Sequence, residues 1–406
     1  MFFNKKNQKS LTLRDFVHSD INAFAIADLP RNLLIEAKFY AAFQVGGVLL
    51  NESHLDALNI GDNIKGHLEE TFLQVLKASS LIVPKASKKK SGIYPWKVGL
   101  FFVSNLSLNA TVKLSVDKSQ NIAFIFLNFG LILQLLSRLY GLMSVPNFFE
   151  SMQPDSVTRI AIDETGERRP SDAWFSAIPD NARKIQIASH CCVIAVICVL
   201  FHELSHFYRG HQTFLAEEYR FSDALFEVET DDQRDSSAFP DSIRRLLELD
   251  ADSTAGGLAA TFWRELDHPA ISAEDTRNEA FFMQFLIGTI CLYSSLEIYK
   301  LSSDYYSPIW RTQHFLKFFY RGFFALPKGV NYDNPESPEN SSMVSSLYFK
   351  VADAMEAAER VLGWGTGYST ERWDLETPVL NERDGPALAK LQKRIRQYQP
   401  IIFFYK

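Results

Sequence analysis

Across the first 95 residues, apolar side chains recur every three to four positions, in PRNLLIEAKFYAAFQVGGVLL and again in GHLEETFLQVLKASSLIV. That spacing gathers them on one helix face, so a mainly helical N-terminal region, 1–95, is expected. PKASKKKSG breaks the pattern with a basic, small-residue stretch that reads as solvated linker. KVGLFFV, ATVKLSV and NIAFIFLNF are strand-like. The last two, joined by DKSQ, predict an antiparallel hairpin of 111–116 with 121–128. GLILQLLSRLYGLM then returns to helical spacing.

From Ala182 to about Tyr306 the pattern predicts three long helices. The first is apolar from Ile185 to Phe201, the second is PDSIRRLLELDADSTAGGLAATFWREL, and the third is RNEAFFMQFLIGTICLYSSLEIYK. The apolar runs in the first and third fall short of the roughly 20 residues a membrane span needs, and they contain His190 and Gln284. Buried core helices are therefore expected, and a membrane is not. PKGVNYDNPESPENSS marks a further break, followed by a C-terminal helical appendage. The regions expected are 1–95, a core at 96–330, and 331–406.

Composition narrows the function classes. With 47% apolar and 22% charged residues, the 406-residue chain is globular and long enough for a large core. A net charge of −6 argues against a general nucleic-acid binder. The 33 phenylalanines read as core filling, some of them as lining for an apolar cleft. Cys191, Cys192, Cys198 and Cys291 form no C-x-x-C pair and read as buried, reduced thiols of a cytoplasmic protein. The N-terminus lacks an apolar segment of signal-peptide length, so secretion is not expected.

The chemistry is concentrated in FHELSHFYRGH, Phe201 to His211. On a helix His202 and His206 share one face and can hold the same divalent ion, which the H-E-x-x-H pattern assigns as zinc. Glu203 lies about 100° round the helix, out of line with both imidazoles but able to reach an activated water as catalytic base. His211 is excluded as third ligand by spacing. The metzincin pattern puts glycine three and histidine six residues after the second histidine. Here Gly210 and His211 come four and five after His206, so Gly210 reads as the helix terminator and His211 as a helix-end or cleft residue. The third ligand can instead come from ELDAD on the next helix: Glu248 as ligand, with Asp252 one turn on to receive a ligand imidazole's N–H. Asp250 reads as an ordinary exposed acid. Gly256 and Gly257 would let this helix approach a neighbour closely.

H-E-x-x-H followed by E-x-x-A-D resembles the gluzincin branch of zinc metallopeptidases, and more narrowly the phage-exclusion peptidases of the Lit type. The resemblance runs through ASHCCVIAVICVLFHELSHFYRGH, ELDADSTAGGLAA and the helix ending SSLEIYK, with a weaker echo at 111–140. It implies one zinc held by His202, His206 and Glu248, Glu203 as base and Asp252 as supporting carboxylate. It further implies an α+β, mainly helical fold: a zincin-like catalytic core with a small antiparallel sheet and helical N- and C-terminal additions. The expected partners are a protein substrate, such as a host translation factor, and a phage-derived activator. Where such peptidases show a His-Pro pair after the third helix, this chain has Ser307-Pro308.

A peptidase also needs a donor for the developing oxyanion, and Tyr305, Tyr306, Arg311 and His314 are the candidates that follow the third helix. The hairpin offers an edge for an extended peptide or simply closes a small sheet. The segment 217–241, with nine acidic and two basic residues, is either a solvated loop or a lid. Three function classes stand open: a soluble defence endopeptidase, a membrane-associated housekeeping zinc peptidase, and a non-catalytic zinc-stabilised binding module.

Overall fold

The computed structural model describes residues 11–86, 97–116, 122–152, 175, 177–220, 225–226, 241–265, 276–298, 306–324, 338–362, 364 and 370–399. Its helices are α1 Arg31–Phe43, α2 Glu52–Asp56, α3 Asp62–Ala86, α4 Phe129–Ser144, α5 Ala182–Arg209, α6 His211–Tyr219, α7 Asp241–Glu265, α8 Thr276–Ile298, α9 Pro308–Phe324, α10 Pro338–Val361 and α11 Thr370–Ile395. The strands are β1 Val17–His18, β2 Ala23–Ile26, β3 Lys97–Val103, β4 Ala110–Leu114, β5 Ile122–Asn128 and β6 Leu225–Phe226. The protein is thus α+β and mainly helical. It divides into two compact units: Met1–Ile132 with Val199–Pro240 and Lys393–Lys406, and Leu133–Cys198 with Asp241–Gln392.

The first unit is built on a six-stranded sheet of order β1-β2-β3-β5-β4-β6. The expected hairpin is present, with β4 antiparallel to β5 in a register that sets Thr111 opposite Phe126. The sheet is nevertheless mixed, not antiparallel, because β3 runs parallel to β5 from Lys97↔Ile122 to Val103↔Asn128. β4 folds back along the far side of β5, which leaves the near side for a strand of the same direction. The N-terminal region is likewise not all helix, since β2 pairs with β3 at Ala25↔Phe101. AFAI is too short and too uniformly apolar to show a strand's period of two.

β5 is buried at every position, and both faces of the sheet are covered. Alternation along β3 sends Phe101 and Phe102 to opposite faces. On one face Leu33, Leu34, Ala37, Tyr40 and Ala41 of α1 pack with Phe101, Phe124 and Phe126. On the other, Phe72 of α3 makes edge contacts with Phe24, Phe102 and Phe129 at 5.2, 5.0 and 5.6 Å. Each such ring contributes roughly 1.5–3 kcal/mol through burial alone.

The second unit is helical. α7 lies so close to α9 that a β-carbon at Gly256 would come within 2.1 Å of the Phe315 carbonyl oxygen. α8 and α9 meet through phenylalanines, with Phe285 stacked on Phe319 at 3.9 Å and Phe282 edge-on to Phe323 at 5.2 Å. α10 packs on α8, and its Glu359 pairs with Arg138 of α4. The four cysteines are buried thiols that form no disulfide with one another, as expected. Among the described residues one helix, α5, is long and apolar enough to cross a membrane, and 78% of its most apolar window is buried inside the protein.

Candidate metal centre

The H-E-x-x-H motif lies within the last eight residues of α5 and is buried, with His202 4%, Glu203 1% and His206 2% exposed. The four-residue spacing brings the two imidazoles together, with Nε2 of His202 2.9 Å from Nε2 of His206. The helix stops at Arg209 because Gly210 adopts φ 71°, a left-handed conformation that a β-carbon would strain. A β-carbon there would also lie 2.2 Å from the Tyr398 carbonyl oxygen. The turn at Gly210 starts α6 with His211, fully buried, whose Nδ1 is 2.8 Å from Nδ1 of His206. Gln212 then ties α6 to the sheet through a bond from its Nε2 to the Val112 carbonyl. The far side of β4 is not an open edge at Thr111 and Val112, where β6 pairs with it. That strand belongs to the acidic segment 217–241, most of which lies outside the described residues, so the choice between solvated loop and lid stays a matter of sequence alone.

α7 supplies the carboxylates. Glu248 and Asp252 are one turn apart and buried at 3% and 0% exposure. Arg311 of α9 is forked onto Asp252, with Nε to Oδ2 at 2.8 Å and Nη2 to Oδ1 at 3.1 Å. Its Nη2 also reaches Oε2 of Glu248 at 3.4 Å, a weaker interaction. The Tyr293 hydroxyl of α8 donates to Asp252 at 2.8 Å, and the Arg311 guanidinium lies 5.2 Å from the Tyr293 ring centre. Asp252 was expected to receive a ligand imidazole's N–H; the bonds seen here hold it to Arg311 and Tyr293. Arg311, expected as an oxyanion donor, is directed onto these carboxylates. A local mismatch could have flagged this role, because Pro308 opens α9 and Arg311 sits in its first turn, where the helix dipole disfavours a cation unless acids compensate.

The remaining candidates divide. His314, one turn beyond Arg311, has Nδ1 3.3 Å from the Ser253 hydroxyl and packs edge-on to Trp310. Burial pushes its pKa down to about 4, against a smaller upward pull from Asp252, so it is neutral at physiological pH. Tyr306 is buried, and its hydroxyl is raised above the usual tyrosine range by burial and then by the nearby Asp384. Tyr305 lies outside the described residues. Asp250, expected to be exposed, is 1% exposed and accepts a 2.6 Å bond from Gln392. α11 covers it from 142 residues away, a distance no local pattern can signal.

The structure groups one ligand atom each of His202, His206 and Glu248 within 4.8 Å of one another, all three residues buried. The donor set fits a metal ion: two imidazoles and a carboxylate are the His₂Glu combination of catalytic zinc sites. The 2.9 Å between the facing imidazole nitrogens is only a few tenths of an ångström below the roughly 3.3 Å between tetrahedral ligands at zinc. Compared with family models, curated proteins and solved structures, the chain finds no match in any of the three. The functional reading therefore stands on these residues.

Proposed function

We propose that the chain is a zinc-dependent endopeptidase of gluzincin type that hydrolyses a peptide bond in an intracellular protein, in anti-phage defence or abortive infection. The observation that carries this reading is the buried grouping of His202, His206 and Glu248, with Glu203 next to the first ligand in the chain. Zinc, when bound, would polarise a water and the scissile carbonyl. Glu203 takes a proton from the attacking water as its oxygen bonds to the carbonyl carbon. As the carbon–nitrogen bond breaks, Glu203 returns the proton to the leaving amine. Arg311 holds the two α7 carboxylates in place through its bonds to Asp252 and Glu248. The defence context, with a host translation factor as substrate and a phage-derived activator, follows from the resemblance to Lit-type peptidases.

The test is Glu203→Gln. Cells expressing the native chain should gain a specific new protein N-terminus, and the variant should form it about 10²–10⁴-fold more slowly while still binding one zinc. A native protein without zinc, or a variant that cuts at the native rate, would sink the reading.

A further inference from the structure

The geometry points to His211 as a positioning residue that orients His206 toward the metal. The inference rests on the zinc reading of His202, His206 and Glu248, and it uses a contact that reading leaves unexplained.

The Nε2 of His206 faces His202 at 2.9 Å, so Nε2 is the nitrogen that ring offers to a shared ion. A ligating nitrogen must present its lone pair, which leaves the ring hydrogen on Nδ1. In so buried a place an N–H without an acceptor is costly. The Nδ1 of His211 lies 2.8 Å away, and a neutral imidazole carrying its hydrogen on Nε2 accepts there. In most metal sites this office falls to a carboxylate or a backbone carbonyl. Glu203, Glu248 and Asp252 already bring three buried carboxylates. A neutral imidazole fixes the ring without adding a fourth negative charge.

The backbone is built to deliver this contact. Continued as a helix, the chain would carry residue 211 some 140° round from His206. The left-handed Gly210 breaks α5 and brings His211 back beside the motif, and the passing Tyr398 carbonyl leaves room for no side chain at 210. His211 is thus excluded as a ligand by its spacing and brought back as the support of one.

The test measures zinc affinity by chelator competition and the visible spectrum of the cobalt-substituted protein. His211→Phe, which fills the space but accepts no bond, should weaken zinc about 10–100-fold and shift the cobalt bands. His211→Asn, which keeps an acceptor near the Nδ1 position, should recover most of the affinity and the native spectrum. In the native zinc-loaded protein, nitrogen-15 spectra should show His211 as the Nε2–H tautomer and His206 as Nδ1–H. A His211→Phe protein that binds zinc as tightly as the native chain, with unchanged cobalt bands, would overturn the inference. So would His211 found with its hydrogen on Nδ1, a readout that stands even if neither variant folds. A native protein that binds no zinc defeats the metal reading itself, a separate outcome.

Discussion

Two buried arginine–carboxylate pairings of the second unit are built differently. Arg138 of α4 meets Glu359 of α10 one to one, its guanidinium lying 5.0 Å from the centre of the Trp364 ring. Arg311 is divided between two carboxylates, tightly forked onto Asp252 and only loosely in reach of Glu248. Desolvation of a buried ion is repaid only by close, well-aligned partners. The Arg138 pair joins one guanidinium nitrogen to one carboxylate oxygen, with Arg138 Nε and Glu359 Oε2 left without a partner among the described residues. At Arg311 the carboxylate with the weaker hold on the guanidinium is the one grouped with two imidazoles. The contrast separates a pairing that closes a core from one that leaves a ligand poised for a second cation.

Single substitutions should disturb both pairings, and only one should disturb metal. Arg138→Met strands Glu359 and should cost about 3–5 kcal/mol in urea unfolding, with zinc affinity unchanged. Arg311→Met strands Asp252 and should cost a similar amount, but should also weaken zinc about 10–100-fold. Paired replacements sharpen the point. Arg138→Met with Glu359→Leu should return to within about 2 kcal/mol of native stability, because apolar side chains of similar volume can replace a buried pair. Arg311→Met with Asp252→Leu should regain stability in the same way yet leave zinc weak. If the Arg311 variants hold zinc at native affinity, the two pairings are of one kind and the contrast fails.

How much of this could be read from the sequence follows the range of the interactions. The histidine pair, the helix stop at Gly210 and the hairpin depend on residues within a few positions of one another, and periodicity exposes them. Gly256 was also legible as a site of close approach, although only the fold shows that its neighbour is the Phe315 carbonyl. The parallel β3–β5 pairing, the short β2, the cover that Gln392 gives Asp250 and the hold of Tyr293 on Asp252 join segments tens to more than a hundred residues apart. No period within one segment encodes which distant segment will meet it. His211 is the instructive case: the spacing that rules it out as a ligand says nothing of a fold-back across a left-handed glycine.

Acid should probe the Arg311 side of the contrast by a smaller amount. His314 faces Ser253 and Trp310, with Asp252 and Lys317 as the charges that act on it. Its folded pKa of about 4 lies below the unfolded value near 6.5. Between those values the unfolded chain binds the extra proton, so stability is full above about pH 6.5 and falls as the pH drops toward 4. The loss by pH 4.5 is on the order of 2–3 kcal/mol. His314→Asn should remove that component when chelator-treated proteins are unfolded in urea at several pH values. Parallel curves for the two proteins would show that His314 charges as readily when folded as when unfolded.

The smallest expected effect concerns a third arginine–glutamate pair, Arg360 with Glu356, which lies on α10 only one turn from Glu359. The residue types are the same and both glutamates lie on α10, but Arg360 is 55% exposed where Arg138 is 9%. In water the ions lose little when parted, and holding two long side chains in one geometry offsets most of the attraction. Glu356→Gln should therefore cost no more than about 0.5 kcal/mol, roughly a tenth of the loss expected for Arg138→Met. Salt should weaken even that, since an exposed pair is screened and a buried one is not. A Glu356→Gln loss as large as that of Arg138→Met would mean that pairing, not burial, sets the energy, and the contrast between the two buried sites would lose its physical basis.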